Sequence, residues 1–225
     1  MTTSQNKVTT PSESVLILAP HPDDETLGCA GTLLKHRESG HQIHWLIGTR
    51  ASNSAQQPTQ IQEIQKRIGF TSVQQLPIET TQVDQIKGSE LVHLLRQQFE
   101  NIQPTVVYLP FYNDPHTDHQ FLFKAAWSAL KQFRAPYCRQ ILAYETPSET
   151  EYASPSGPAF QPNYYVDISE QLEKKIALLS SYAAEIGTFP FPRSVESIRA
   201  LAQYRGSQIC RPAAEAFELL REVRS

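Results

Sequence analysis

Val15-Leu16-Ile17-Leu18, followed at once by Ala19-Pro20-His21-Pro22-Asp23-Asp24-Glu25 and then Thr26-Leu27-Gly28-Cys29-Ala30-Gly31, reads as a strand, a loop and a helix. Four apolar residues in a row, bounded by Ser14 and Pro20, suit a strand covered on both faces, whereas Thr26 to Arg37 carries apolar residues at helical spacing. One histidine and three carboxylates therefore fall at a strand's carboxyl end, the edge of an open α/β sheet where ligands bind. Helix capping is the competing explanation. Asp23 or Asp24 can serve as N-cap, with the other acids in a first turn where the macrodipole favours negative charge. Capping leaves His21 without a role, so a partner elsewhere in the chain has to decide.

That partner follows a second compact apolar run. Thr105 to Leu109 reads as a strand and opens into Pro110-Phe111-Tyr112-Asn113-Asp114-Pro115-His116-Thr117-Asp118-His119, with a helix expected from about Gln120 to Phe133. Further strands are expected over 42–48, 72–76, 140–145 and 164–168, and further helices over 60–68, 89–101, 170–184, 195–204 and 212–223. Residues 51–59 and 146–163 have the composition of long loops. Strand followed by helix, repeated, predicts an α/β fold: a mainly parallel sheet with helices on both faces. Right-handed crossovers bring the loops after successive strands to one edge, so the two clusters can meet.

The 225 residues suit a single α/β domain over 14–225, preceded by a disordered tail over 1–13 that is rich in Thr, Ser and Gln. A net charge of −3 lacks the basicity of a non-specific nucleic-acid binder, so no nucleic-acid partner is expected. No apolar run approaches the roughly 20 residues that span a bilayer, and the cytoplasm is the default compartment. Cys29, Cys138 and Cys210 are too few and too scattered for a disulfide framework and read as reduced, buried packing residues. Gly28 and Gly31 lack the G-x-G-x-x-G pattern of dinucleotide binding and read as sites of close helix-to-sheet packing.

A catalytic zinc takes three nitrogen or oxygen ligands and keeps one position open, a count that His21, Asp24 and His119 match. Asp23, beside a ligand without being needed as one, is then placed to act as a general base. His116, one helical turn before His119, is placed, when protonated, to stabilise an oxyanion or protonate a leaving amine, and Asp118 to orient an imidazole. His36, His41, His44 and His93 have no such company and read as surface or packing residues.

The pairing of Pro20-His21-Pro22-Asp23-Asp24-Glu25 with Asp114-Pro115-His116-Thr117-Asp118-His119 resembles the LmbE/PIG-L family of zinc-dependent N-acetylglucosaminide deacetylases. The similarity continues through Arg193-Ser194-Val195-Glu196, Tyr204-Arg205-Gly206 and Ala214-Glu215-Ala216-Phe217. The resemblance implies a Rossmann-like three-layer α/β/α fold, zinc on His21, Asp24 and His119, Asp23 as base and His116 as electrophilic or acid partner. It also implies release of acetate from a small-molecule N-acetylated amino sugar or glycoside, and a homo-oligomer for which a hexamer is one form. Spacing alone does not select the acetamide: hydrolysis of another amide or a phosphate ester, or non-catalytic sugar binding, uses the same framework. The chain departs from the family after the second strand, where Thr49-Arg50-Ala51-Ser52 replaces a Thr-x-Gly-Glu-type turn and no Arg-x-x-Glu follows. Arg50 is the substitute candidate for contacting substrate.

Overall fold

A computed structural model of the chain describes residues 12–52 and 55–224. β1 (Ser14–Ala19) lies at the centre of a seven-stranded sheet because every residue from Val15 to Ala19 is fully buried, which leaves none of its side chains free to face water. Two other parallel strands flank it: β2 (Gln42–Ile47) on one side and β4 (Val106–Pro110) on the other. β3 (Ser72–Gln75) extends the sheet beyond β2, and β5 (Gln140–Tyr144) beyond β4, both parallel. β7 (Ala214–Glu222) then pairs antiparallel with β5 and with the edge strand β6 (Tyr164–Asp167), giving the order β3-β2-β1-β4-β5-β7-β6.

The side-chain alternation of β1 divides the core. Val15, Ile17 and Ala19 face a layer that includes Cys29, Ala30 and Leu33 of α1 (Asp24–Glu38) and Ile64 of α2 (Gln57–Ile64). Leu16 and Leu18 face the opposite layer, with Leu91, Leu95 and Phe99 of α3 (Gly88–Ile102) and Leu122 and Ala126 of α4 (Thr117–Ala129). Helices thus cover both faces, and each fully buried large aliphatic residue contributes about 1.5–3 kcal/mol. α1 approaches the sheet closely because Gly28 has no side chain: a Cβ there would lie 2.4 Å from the Tyr144 ring.

The connection after β1 leads to one side of the sheet and β4 continues on the other. The sheet order therefore reverses between β1 and β4, and the crevice outside their carboxyl ends is the switch point where open α/β sheets bind ligands. The loops carrying His21 to Glu25 and Asp114 to His119 flank that crevice.

Several sequence-based expectations need correction. Residues 212–223 form no helix: Ala214–Glu222 is β7. Its Ala, Glu and Leu content favours a helix, but the vacancy between β5 and β6 and the demands of Glu215 override that propensity. The buried Glu215 carboxylate accepts the backbone N–H groups of Gly31 and Thr32 and the ammonium of Lys175, at 2.9, 2.7 and 2.7 Å. The helix expected over 170–184 is shorter, with α5 (Leu172–Leu178) tightening into a 3₁₀ turn over Leu179–Tyr182. α2 begins earlier than expected, with Pro58 in its first turn, and ends in a π-helical turn over Gln65–Gly69. α6 (Val195–Ser207) follows the expected helix closely, and the hydroxyl of Ser194 caps it by accepting the Ser197 N–H.

Most of the expected amino-terminal tail, residues 1–11, lies outside the described residues, as do residues 53 and 54 of the expected 51–59 loop. Glu13 does not belong to a tail, since its carboxylate binds the Arg139 guanidinium and the Thr105 hydroxyl. Cys29 and Cys138 are buried as expected, whereas Cys210 is exposed. Among the described residues, no helix is long and apolar enough to cross a membrane.

Candidate metal and catalytic site

His21, Asp24 and His119 converge in the crevice. Asp24 Oδ2 lies 3.5 Å from His21 Nδ1 and 3.4 Å from His119 Nε2, and one donor atom from each residue falls within 4.8 Å of the others. The distal nitrogen of each histidine is engaged by a second carboxylate. His21 Nε2 contacts Asp118 Oδ2 at 3.0 Å, and His119 Nδ1 contacts Asp114 Oδ2 at 2.8 Å. Carboxylates in this position fix ring orientation and make the inward nitrogen a better ligand. Asp114 is itself held by the Thr150 hydroxyl at 2.8 Å, and Asp118 accepts the Thr81 N–H at 2.8 Å.

The donor set fits a divalent cation. His119 Nε2 is buried and has no hydrogen-bond partner among the described residues, a costly state for a polar nitrogen unless a proton or a cation occupies it. Charge gives the same answer. Burial would lower the pKa of both histidines, but hydrogen bonds to Asp118 and Asp24 raise His21 to about 9, while Asp24 and Asp114 raise His119 to about 10. The crevice therefore draws positive charge onto the two rings, and a divalent ion would displace those protons, as metal binding at histidine sites does. His21, His116 and Asp118 form an alternative donor group. It fits less well, because Asp118 Oδ2 is already committed to Thr81 and His116 Nδ1 accepts the Asp118 N–H at 3.1 Å.

Asp23 stands beside this set in a strained turn. Its φ is 133°, which a non-glycine residue holds at a cost of about 1–3 kcal/mol when its surroundings dictate it. Two contacts do so: its N–H donates to Glu25 Oε2 at 3.0 Å, and its Oδ2 accepts from Arg193 Nη1 at 2.7 Å. Glu25 is fixed in turn by the hydroxyls of Tyr182 and Thr26, at 2.8 and 2.6 Å, and burial pushes its pKa up to about 7. Burial and the charge of Asp24 also push Asp23 above the usual carboxylate range, against the opposing pull of Arg193. A buried carboxylate of raised basicity suits proton acceptance from water.

His116 completes the group, its ring centroid 4.5 Å from that of His21. Burial, together with charge on His21 and His119, lowers its pKa to about 4. The ring is therefore neutral, not protonated as the sequence reading expects, and with Nδ1 accepting a backbone N–H it carries its proton on Nε2 and can act as a hydrogen-bond donor.

Of the residues singled out in the sequence, His21, Asp23, Asp24, His116, Asp118 and His119 gather here. Arg50 is exposed, its backbone tied to Ile78 and Thr80, and among the described residues no hydrogen bond or ion pair joins it to this group. Sequence reasoning assigns Asp114 no role, reads Glu25 as an acid of the first helical turn and names Arg193 within a motif, without its contact to Asp23. Asp114 opens the quoted second motif and Arg193 the third, but neither position reveals which side chain it will meet.

The chain is 24% identical to the diacetylchitobiose deacetylase of Thermococcus kodakarensis over 234 residues, covering 92% of this chain and 83% of that protein. It is 22% identical over 191 residues to the probable N-acetyl-alpha-D-glucosaminyl L-malate deacetylase 2 of Bacillus anthracis, covering 77% of this chain and 82% of that one. Its fold is similar to the 4-carboxy-2-hydroxymuconate hydratase GalB of Pseudomonas putida KT2440, with a TM-score of 0.74 and 17% identity over 95% of this chain and 98% of that one. Since the hydratase catalyses a different reaction, the fold does not by itself select the chemistry. Residues 16–130, more than half of the chain and inclusive of both motifs, match the family described as PIG-L, GlcNAc-PI de-N-acetylase, and the chain belongs to that family.

Proposed function

We propose that this protein is a zinc-dependent N-deacetylase that releases acetate from an N-acetylglucosamine-containing small molecule. The observation that carries this reading is the placement of Asp23, buried and outside the ligand set, beside the convergent His21, Asp24 and His119. Zinc suits three ligands of mixed nitrogen and oxygen type, and the deacetylase relatives support acetamide hydrolysis over attack on a phosphate ester.

A divalent ion on His21, Asp24 and His119 would supply Lewis acidity, lowering the pKa of water and polarising a carbonyl. Asp23 removes the proton from the attacking water, and Arg193 holds its carboxylate in place as it does so. His116 donates its Nε2–H to the oxygen of the acetyl group as charge develops there, a role for which a neutral imidazole is suited. Asp23 then returns the proton to the departing sugar nitrogen, so that acetate and the free amine leave. Asp118 and Asp114 keep the two histidine rings oriented throughout.

The catalytic domain in this reading spans residues 14–225 and works in the cytoplasm as a homo-oligomer, which light scattering would reveal. The function is tested by chelating the purified protein and restoring zinc while acetate release is followed across N-acetylglucosaminides. Activity lost on chelation and regained with about one zinc per chain is expected. Acetate release that is unaffected by chelation, or metal-dependent cleavage of phosphate esters alone, would reject it.

A further inference from the structure

Two of the three nitrogens of Arg193 are engaged: Nε donates to the Ser148 hydroxyl at 2.6 Å and Nη1 to Asp23 Oδ2 at 2.7 Å. Nη2, which carries two N–H donors, makes no hydrogen bond among the described residues and faces Glu149 Oε1 across 3.9 Å. The Glu149 carboxylate likewise accepts no hydrogen bond among the described residues. A donor and an acceptor thus face each other at a distance too long for a direct bond and suited to one oxygen between them.

The backbone holds this gap open. Ser148 has a φ of 78°, a left-handed conformation that a non-glycine residue keeps only where its surroundings fix it, and its N–H donates to Glu151 Oε1 at 2.7 Å. The Glu149 N–H donates to the Thr146 carbonyl at 3.0 Å, and the Glu149 carbonyl accepts the Tyr152 N–H at 2.9 Å. Thr150, the next residue, holds Asp114, which holds His119. Glu149 therefore lies between a residue anchored to the arginine of Asp23 and one anchored to the support of a proposed metal ligand. The two side chains keep 17% and 15% of their surface exposed, for Arg193 and Glu149 respectively, so solvent reaches both. Burial raises the pKa of Glu149 and His119 lowers it, while Asp24 and Asp114 raise it further, the influence expected of a carboxylate beside the crevice.

The donor and acceptor pattern restricts what fits. A carboxylate or phosphate would accept from Nη2 but meet the negative charge of Glu149, with Asp23 and Glu185 also around the same guanidinium, at 2.7 and 3.7 Å. An ammonium would donate to Glu149 but has no lone pair for Nη2 and meets its positive charge. A hydroxyl donates and accepts at once. Because Nη1 of the same guanidinium holds Asp23, a group in the gap lies close to the reacting acetamide and belongs to the sugar ring instead of a distant substituent.

We propose that Arg193 Nη2 and Glu149 Oε1 clamp one ring hydroxyl of the amino sugar, with Glu149 a specificity-determining residue, an inference that rests on the deacetylase reading above. Energy from this contact is available to seat the acetamide against Asp23.

The test compares zinc-loaded wild type, Glu149→Gln and Glu149→Ala, at equal measured zinc content, on methyl N-acetyl-β-D-glucosaminide and its 3-, 4- and 6-deoxy analogues. Wild type is expected to lose about 10- to 100-fold in kcat/KM on one of the analogues, the worth of a hydrogen bond to a charged group. Glu149→Ala should lose as much on the parent sugar and treat it and that analogue alike within about twofold, and Glu149→Gln, whose amide oxygen still accepts, should fall in between. An equal loss on all four sugars in Glu149→Ala would show that Glu149 acts only through Arg193 and would overturn the proposal. So would a wild type indifferent to every deoxy position, the result if the gap holds water alone. Calorimetric binding of methyl β-D-glucosaminide and its deoxy counterparts reads the clamp without turnover: a Kd about tenfold weaker for one counterpart in wild type, and equal in Glu149→Ala, supports it. That binding pattern with no acetate release from any of the four acetylated sugars would reject the deacetylase reading and leave the clamp standing. Acetate release with no such pattern would do the reverse, and neither release nor binding would overturn both.

Discussion

Arg193 Nη1 donates to Asp23 Oδ2 at 2.7 Å, joining a residue just before α6 to the strained turn between β1 and α1, 170 positions earlier in the chain. The guanidinium also binds Ser148, so one side chain ties Asp23 to the segment that follows β5. Replacing Arg193 with Met leaves the proposed metal ligands untouched but frees the Asp23 carboxylate. The expected result is a fall in kcat of about 10²-fold, the cost of misplacing a reacting group by about an ångström, with zinc content unchanged. Arg193→Lys should restore part of it. Loss of zinc in Arg193→Met would show that the contact serves the metal site instead.

Asp114 holds His119 Nδ1 and lies outside the proposed ligand set. Asp114→Ala is expected to weaken zinc binding by about 10- to 100-fold, as loss of carboxylate support for a ligating histidine does. Competition with a chromophoric chelator measures it. Zinc affinity equal to wild type would remove Asp114 from the support of the site.

Lys175 and Glu215 form a buried pair at 2.7 Å beneath α1. Lys175→Met removes one partner and leaves a carboxylate in the core, with a destabilisation of about 3–5 kcal/mol expected from such a break. Denaturant unfolding reads it directly. A change below about 1 kcal/mol would mean that the backbone donors of Gly31 and Thr32 suffice for Glu215.

His36 gives a pH dependence outside the site. Burial and the neighbouring His41 lower its pKa from 6.5 to about 4, and its Nε2 contacts the Tyr108 hydroxyl at 2.9 Å. The unfolded chain therefore binds the extra proton between these values. The contribution is present above pH 6.5 and is lost as pH falls towards 4, with a slope of up to about 1.4 kcal/mol per pH unit. His36→Gln should flatten the stability profile in that window. An unchanged profile would show that His36 titrates normally.

The parts of this fold legible in the sequence are those encoded locally. Val15 to Leu18 has no polar residue because both faces of β1 are covered, and each metal motif lies within a few residues of a strand's end. β7 was not legible, because its strand state depends on a slot between β5 and β6 and on Glu215 meeting the backbone of α1, 183 residues away. Arg193 was visible as part of a motif, but its contact with Asp23 exists only once α6 packs near the crevice. Arg50 follows β2 as the sequence suggests, but its backbone is tied to Ile78 and Thr80 and its side chain is exposed, a placement that its position in the chain does not reveal.

Asp23 bears the central claim. The most direct measurement is acetate release by wild type and Asp23→Asn, each carrying the same measured zinc content, from an N-acetylglucosaminide that the wild type deacetylates. The amide keeps the shape of the carboxylate but cannot take a proton from water, so a loss of about 10²–10⁴-fold in kcat with zinc retained is expected. Turnover within a few-fold of wild type at equal zinc content would contradict the account.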